Sequence, residues 1–129
     1  MIAKYLSVAG LLFGAYAGFM AIIAPGMIAR TLRLQANPER PGGYAEFRAT
    51  FGGVFFMVHL TTLLLMHHMS DTGAALIVLP VAFAWLGAAI ARLASMALDK
   101  TENGEGGINR YWVGLELVVA AMIAAPAYL

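Results

Sequence analysis

The chain has 129 residues, of which 61% are hydrophobic and only 12% charged, and its formal net charge is +1. Soluble domains average roughly 45–50% apolar and about 25% charged, so these figures exclude an ordinary soluble domain. They also exclude a disordered chain, which needs low hydrophobicity and high charge. A charge near zero gives no basic field for nucleic acid, and the absence of cysteine excludes disulfides, thiolate metal sites and cysteine nucleophiles.

Gaps in the charge pattern locate the spans. No Lys, Arg, Asp or Glu occurs over the 25 residues from Tyr5 to Ala29, nor over the 22 from Ala49 to Ser70, nor over the 20 from Thr72 to Ala91. The last 19 residues, Tyr111–Leu129, carry only Glu116. A spanning helix needs roughly 20 apolar residues, and lipid leaves no partner for open backbone groups, so segments of this length are helices. The expectation is an all-α, integral membrane four-helix bundle in a single domain, residues 1–129, with helices at about 4–24, 47–68, 73–97 and 111–128.

In chain order, the first span carries Gly10, Gly14 and Gly18, two successive G-x-x-x-G steps that mark a flat face for another helix. Packing inside the bundle is the first use expected of that face, and a homodimer the second. Tyr5 and Tyr16, eleven residues apart, share one face and are expected to put phenols into the interior. A cleaved leader is not expected, because the apolar run continues well past Ala17. Pro25-Gly26 ends the span. Met27–Leu34, with Arg30 and Arg33 beside Ile28 and Leu32, reads as an amphipathic turn lying in the membrane interface. A Pro/Gly-rich loop follows to Gly43.

Arg30, Arg33, Arg40, Arg48, Lys100 and Arg110 fall on one side of the membrane and Lys4 alone on the other. The positive-inside rule makes the first side cytoplasmic and puts both termini outside. This is the topology of a multi-pass protein of a bacterial inner membrane.

Ionisable groups within spans are costly and are functional candidates by default. Glu46 and Arg48 open the second span, Arg92 lies near the end of the third, and Glu116 lies near the start of the fourth. All four belong at similar depth on the cytoplasmic side, and their charges sum to zero, as paired charges in a low dielectric should. On the third helix Ala88, Arg92, Ser95 and Asp99 share a face; on the fourth, Asn109, Trp112 and Glu116 do. At 100° per residue Gly52, Phe55, His59 and Thr62 fall close to the line of Arg48, so His59 extends that line toward mid-membrane. Glu46, Arg48, His59, Arg92, Ser95, Asn109, Trp112 and Glu116 are therefore the candidate ligand-binding residues. A salt-bridge clasp between helices is the plainer use of the charged four. Trp112 beside Tyr111 also suits an interfacial anchor. Spacing leaves open whether Arg48 pairs with Glu46 or Glu116. No metal and no cofactor are expected.

These residues carry a resemblance. The run Glu46-Phe-Arg48-Ala49-Thr-Phe51-Gly52-Gly53 resembles the E-x-R-A-x-[YF]-G-G motif of small bacterial four-helix membrane proteins catalogued as a domain of unknown function. Ala91-Arg92-Leu93-x-Ser95 followed by Asp99, and Leu115-Glu116-Leu117, resemble its second and third motifs, and Pro25 after the first helix also fits. Phe51 stands where Tyr is commoner, and Lys100 where Gly is expected after Asp99. The resemblance implies no reaction; it marks the same positions as the charge pattern.

Three functions compete. The first is a membrane accessory subunit, or a binder of lipid or another apolar small molecule, which docks on a larger membrane complex or pairs with itself through Gly10, Gly14 and Gly18. The second is a membrane enzyme doing isomerase-like acid/base chemistry on a lipophilic substrate, with Glu46 or Glu116 moving a proton and His59 as partner. The third is a transporter, the weakest, because the outer half offers no acidic group beyond Asp71. An enzyme or ligand binder calls for an apolar pocket of roughly 300 Å³ or more reaching the charges. An accessory protein calls for a closed ion pair with no cavity beside it.

Overall fold

The computed structural model describes residues 1–37, 39, 42–98 and 108–129. Those residues are all-α, with no strand among them. Helix α1 (Ile2–Ile23) is followed at once by the short α2 (Pro25–Thr31). A continuous helical stretch then runs Ala45–His68. It comprises α3 (Ala45–Phe47), a π-helical segment (Arg48–Val54) and α4 (Phe55–His68). Helix α5 (Asp71–Leu98) and helix α6 (Ile108–Ala124) follow, and a 3-10 turn closes the chain at Ala125–Ala127. Four helices, Ile2–Ile23, Ala45–His68, Asp71–Leu98 and Asn109–Ala127, are long and apolar enough to cross a membrane.

The boundaries follow local chemistry. Pro25 has no N–H to continue α1, and it sits instead in the first turn of α2, where a missing donor costs nothing. Asp71 places an anion at the positive end of α5. Pro80 lies inside α5 without ending it, as lipid-embedded helices tolerate. The start of the second span differs from a plain α-helix: at the Gly52-Gly53 pair the backbone widens to i→i+5 bonding over Arg48–Val54.

The chain divides into two compact units. The first comprises Met1–Gly10 and Leu65–Leu129. In it α5 and α6 are joined where Arg92, near the end of α5, meets Glu116 at the middle of α6. The start of α1 is fastened to the end of α6. The buried Ser7 Oγ donates to the Ile123 carbonyl at 2.8 Å. That carbonyl lies in the last turn of α6, where intrahelical donors run out. Gly10 lies against Ile123, and Lys4 Nζ pairs with Asp71 at 2.6 Å.

The second unit is Leu11–Leu64. Here the rest of α1 lies against the π segment and α4 at glycine contact distance. Gly14 faces the His59 ring, Gly18 faces the Phe56 backbone and the Gly52 carbonyl, and Gly52 faces Ile22. The Phe19 and Phe56 rings are 5.9 Å apart beside this seam. The glycine face of α1 is thus occupied by helices of the same chain. Tyr5 and Tyr16 do not enter the interior; they are 67% and 62% exposed. Tyr16 is two residues from both Gly14 and Gly18, so it stands about 200° around the helix from the packed face.

Candidate functional site

In the first unit, Glu116 is only 5% exposed, and α6 carries it about 12 Å along the helix from Ile108 at 1.5 Å per residue. Arg92 reaches it with a two-donor fork. Nε lies 3.2 and 3.3 Å from the two carboxylate oxygens, and Nη2 lies 2.9 Å from Oε1. This is the bidentate geometry in which guanidinium and carboxylate bind most strongly. The Arg92 Cζ sits 5.9 Å from the centre of the Trp112 ring, within cation–π range. Trp112 therefore covers the guanidinium as well as standing near the interface beside the exposed Tyr111. Asn109, one and two turns before Trp112 and Glu116, is buried on the same side of α6. Ser95 is half-buried one turn beyond Arg92. Asp99, expected on the same face, lies outside the described residues.

In the second unit, Arg48 does not turn to Glu46. Its Nε–H donates to the Ile22 carbonyl at 3.1 Å. That carbonyl lies in the last turn of α1, where intrahelical donors run out and a cation is welcome. Both Glu46 and Arg48 are exposed. His59 is 2% exposed, with Nδ1 2.7 Å from the Phe55 carbonyl, so the nitrogen facing that oxygen carries the proton. Its ring ends a ladder, Phe47–Phe51–Phe55–His59, with centroids 5.2, 5.3 and 4.3 Å apart. Gly52, His59 and Thr62 are buried on one face, as their spacing predicts, while Phe55 is half-buried. Arg48 leaves that line, because the π segment between Arg48 and Val54 breaks the 100° step on which the line was drawn.

A shallow apolar groove of about 250 Å³ opens between α5 and α6. Leu79, Ala82, Phe83 and Leu86 line one side and Leu117, Ala120, Ala121 and Ala124 the other. Three alanines on α6 leave the space that Leu or Ile would fill. The volume is below the roughly 300–1,000 Å³ of small-molecule sites. Neither Arg92 nor Glu116 lines it, so the groove and the ion pair are neighbours on α6 but not one pocket.

The three expected motifs are thus accounted for by geometry: one docks α1, and two meet in the Arg92–Glu116 pair. The family described as a domain of unknown function, DUF4345, matches residues 2–125. The chain belongs to the DUF4345 family. No curated protein and no solved structure matches it. The DUF4345 match runs from the start of α1 to just past the end of α6.

Reasoning from charge passed over Ser7, a buried hydroxyl that holds α1 to α6. Arg33, which the sequence places in the interfacial turn, has a backbone φ of +60°; nothing in residue type foretells a left-handed arginine.

Proposed function

We propose that this DUF4345 protein is a lipid-contacting accessory protein of the bacterial inner membrane, with both termini outside. On this reading Arg92–Glu116 is a clasp between α5 and α6, and the groove beside it takes part of a lipid acyl chain. The observation that carries the reading is the bidentate pair itself: each charge is neutralised by the other, and no polar side chain lines the adjoining groove. Acid/base catalysis needs a proton-moving group within hydrogen-bond reach of its substrate, and the groove offers none. Its size suits a stretch of hydrocarbon. The excess of Arg and Lys in the loops between spans one and two and between spans three and four supports the orientation.

The test is native mass spectrometry of the detergent-purified protein, with extraction of what co-purifies. Wild type is expected to retain about one lipid, and the groove-filling Ala121→Leu to retain less. The double variant Arg92→Met/Glu116→Leu, which replaces the pair by apolar chains, is expected to retain lipid as wild type does. A retained polar small molecule lost in folded Glu116→Gln would overturn the clasp and establish a ligand site at the pair.

A further inference from the structure

The short helix after the first span carries a feature that lipid contact in the groove does not use. Helix α1 has 22 residues and spans about 33 Å, close to the roughly 30 Å of a hydrocarbon core. The chain breaks at Ala24, with φ −130° and ψ 56°, and α2 starts at once, at the end of a helix long enough to cross that core. Pro25 and Ala29 are buried on one side of α2, while Arg30 and Thr31 are exposed on the other. Between residues 24 and 37 there are two arginines and no acidic residue. Met27 and Leu34, both exposed, flank the basic pair with apolar surface, the make-up of an interfacial segment.

The end of α2 sharpens this. The Leu34 N–H bonds the Ala29 carbonyl at 2.8 Å and the Arg33 N–H bonds the Arg30 carbonyl at 3.0 Å. This pair of bonds is the Schellman motif, whose penultimate position is left-handed and is ordinarily glycine. Here that position is Arg33, at φ +60°. An L side chain there strains the backbone, which glycine would not. The strained conformation sets a guanidinium three residues from Arg30, whose Nε–H bonds the Gly26 carbonyl at 3.0 Å and so braces its side chain along α2.

We propose that α2 and its closing turn form a binding surface for an anionic phospholipid headgroup, with Arg30 and Arg33 as its cationic contacts. The charge is complementary and the depth matches. Met27 and Leu34 sit where the upper acyl region begins.

The experiment exposes the purified protein in detergent to equal amounts of phosphatidylglycerol and phosphatidylcholine and reads the bound ratio by native mass spectrometry. Wild type is expected to favour phosphatidylglycerol. Arg30→Gln and Arg33→Gln should each lower that preference about fivefold, the worth of one basic side chain near an anionic surface. Arg33→Gly separates binding from structure. It relieves the left-handed strain, so the protein should melt at a higher temperature while losing the preference; Arg33→Lys should keep the preference. Arg30→Gln and Arg33→Gly that both retain the wild-type ratio would overturn the proposal and leave the arginines as caps of the α2 C-terminus. The α5/α6 groove is blind to headgroup charge. Ala121→Leu should therefore reduce both lipids and leave their ratio unchanged, which keeps a failure of the groove reading distinct from a failure of this one.

Discussion

Glu116 shows what one buried carboxylate requires. Taking it out of water is expensive, and the pair repays this only with good geometry and extra hydrogen bonds. Arg92 supplies both, and Trp112 shields the guanidinium. Removing either partner strands a charge. Arg92→Ala or Glu116→Ala should therefore cost about 3–5 kcal/mol, read as a lowered unfolding midpoint in micelles. Arg92→Met/Glu116→Leu should cost far less than the sum of the singles, a coupling that a double-mutant cycle measures directly. Additive losses would mean that the pair is not a clasp. Gly14 makes a steric case at the same scale. A Cβ there would enter the His59 ring. Gly14→Ala should cost about 1–3 kcal/mol by overpacking, and His59→Ala should rescue part of it in the double variant.

At the scale of elements, the Glu46–Gly53 motif is a docking device for α1. Its two glycines are adjacent but not equivalent. A Cβ on Gly52 would lie 2.8 Å from Ile22 Cγ1 and 3.2 Å from the Ile22 nitrogen, whereas a Cβ on Gly53 meets nothing closer than 3.6 Å. Gly52→Ala should therefore destabilise by about 1–3 kcal/mol. Gly53→Ala should be neutral or stabilise by up to about 1 kcal/mol through a less flexible unfolded chain. Thermal unfolding of the two variants side by side decides this; equal losses would show that the π segment, not the α1 contact, sets the need for glycine. Arg48 works on the same junction from outside. Arg48→Ala should cost about 1 kcal/mol, since an exposed hydrogen bond is worth little, and should speed hydrogen exchange in the turn around Ala24. Much of this element was legible: the glycine spacing on α1 and the motif on the second span both pointed to close approach. The widening to π geometry was not, because propensity and period describe regular helices and cannot register one extra residue per turn.

At the scale of the whole molecule, the absence of cysteine makes topology directly testable. Single cysteines introduced as Ile2→Cys, Asp71→Cys and Glu39→Cys can be labelled with a membrane-impermeant maleimide. With both termini outside, the first two should react in intact cells or right-side-out vesicles, and Glu39→Cys only after permeabilisation. The reverse pattern would invert the orientation and put Arg30 and Arg33 on the outer leaflet. The Lys4–Asp71 pair, exposed at 2.6 Å, ties the starts of α1 and α5 on one side but contributes little to stability. The proposed orientation rests instead on where the remaining arginines stand in the sequence.

Sequence alone determined the class of the protein, its four spans, the breaks at Pro25 and near Ser70, and the residues worth suspecting. Each of these follows from local quantities: apolar run length against bilayer thickness, proline's missing donor, and the rarity of charge in a span. Tertiary structure alone decided the pairings. It took Glu116 for Arg92, gave Arg48 a backbone carbonyl in place of a carboxylate, and turned Tyr5 and Tyr16 outward. It also recruited Ser7 to a carbonyl 116 residues away and placed Arg33 in a left-handed turn. Partner choice depends on distances between helices and on helical phase summed over many residues. A single π segment is enough to shift that phase, so side chains that share a stripe by spacing do not all share a neighbour in the fold.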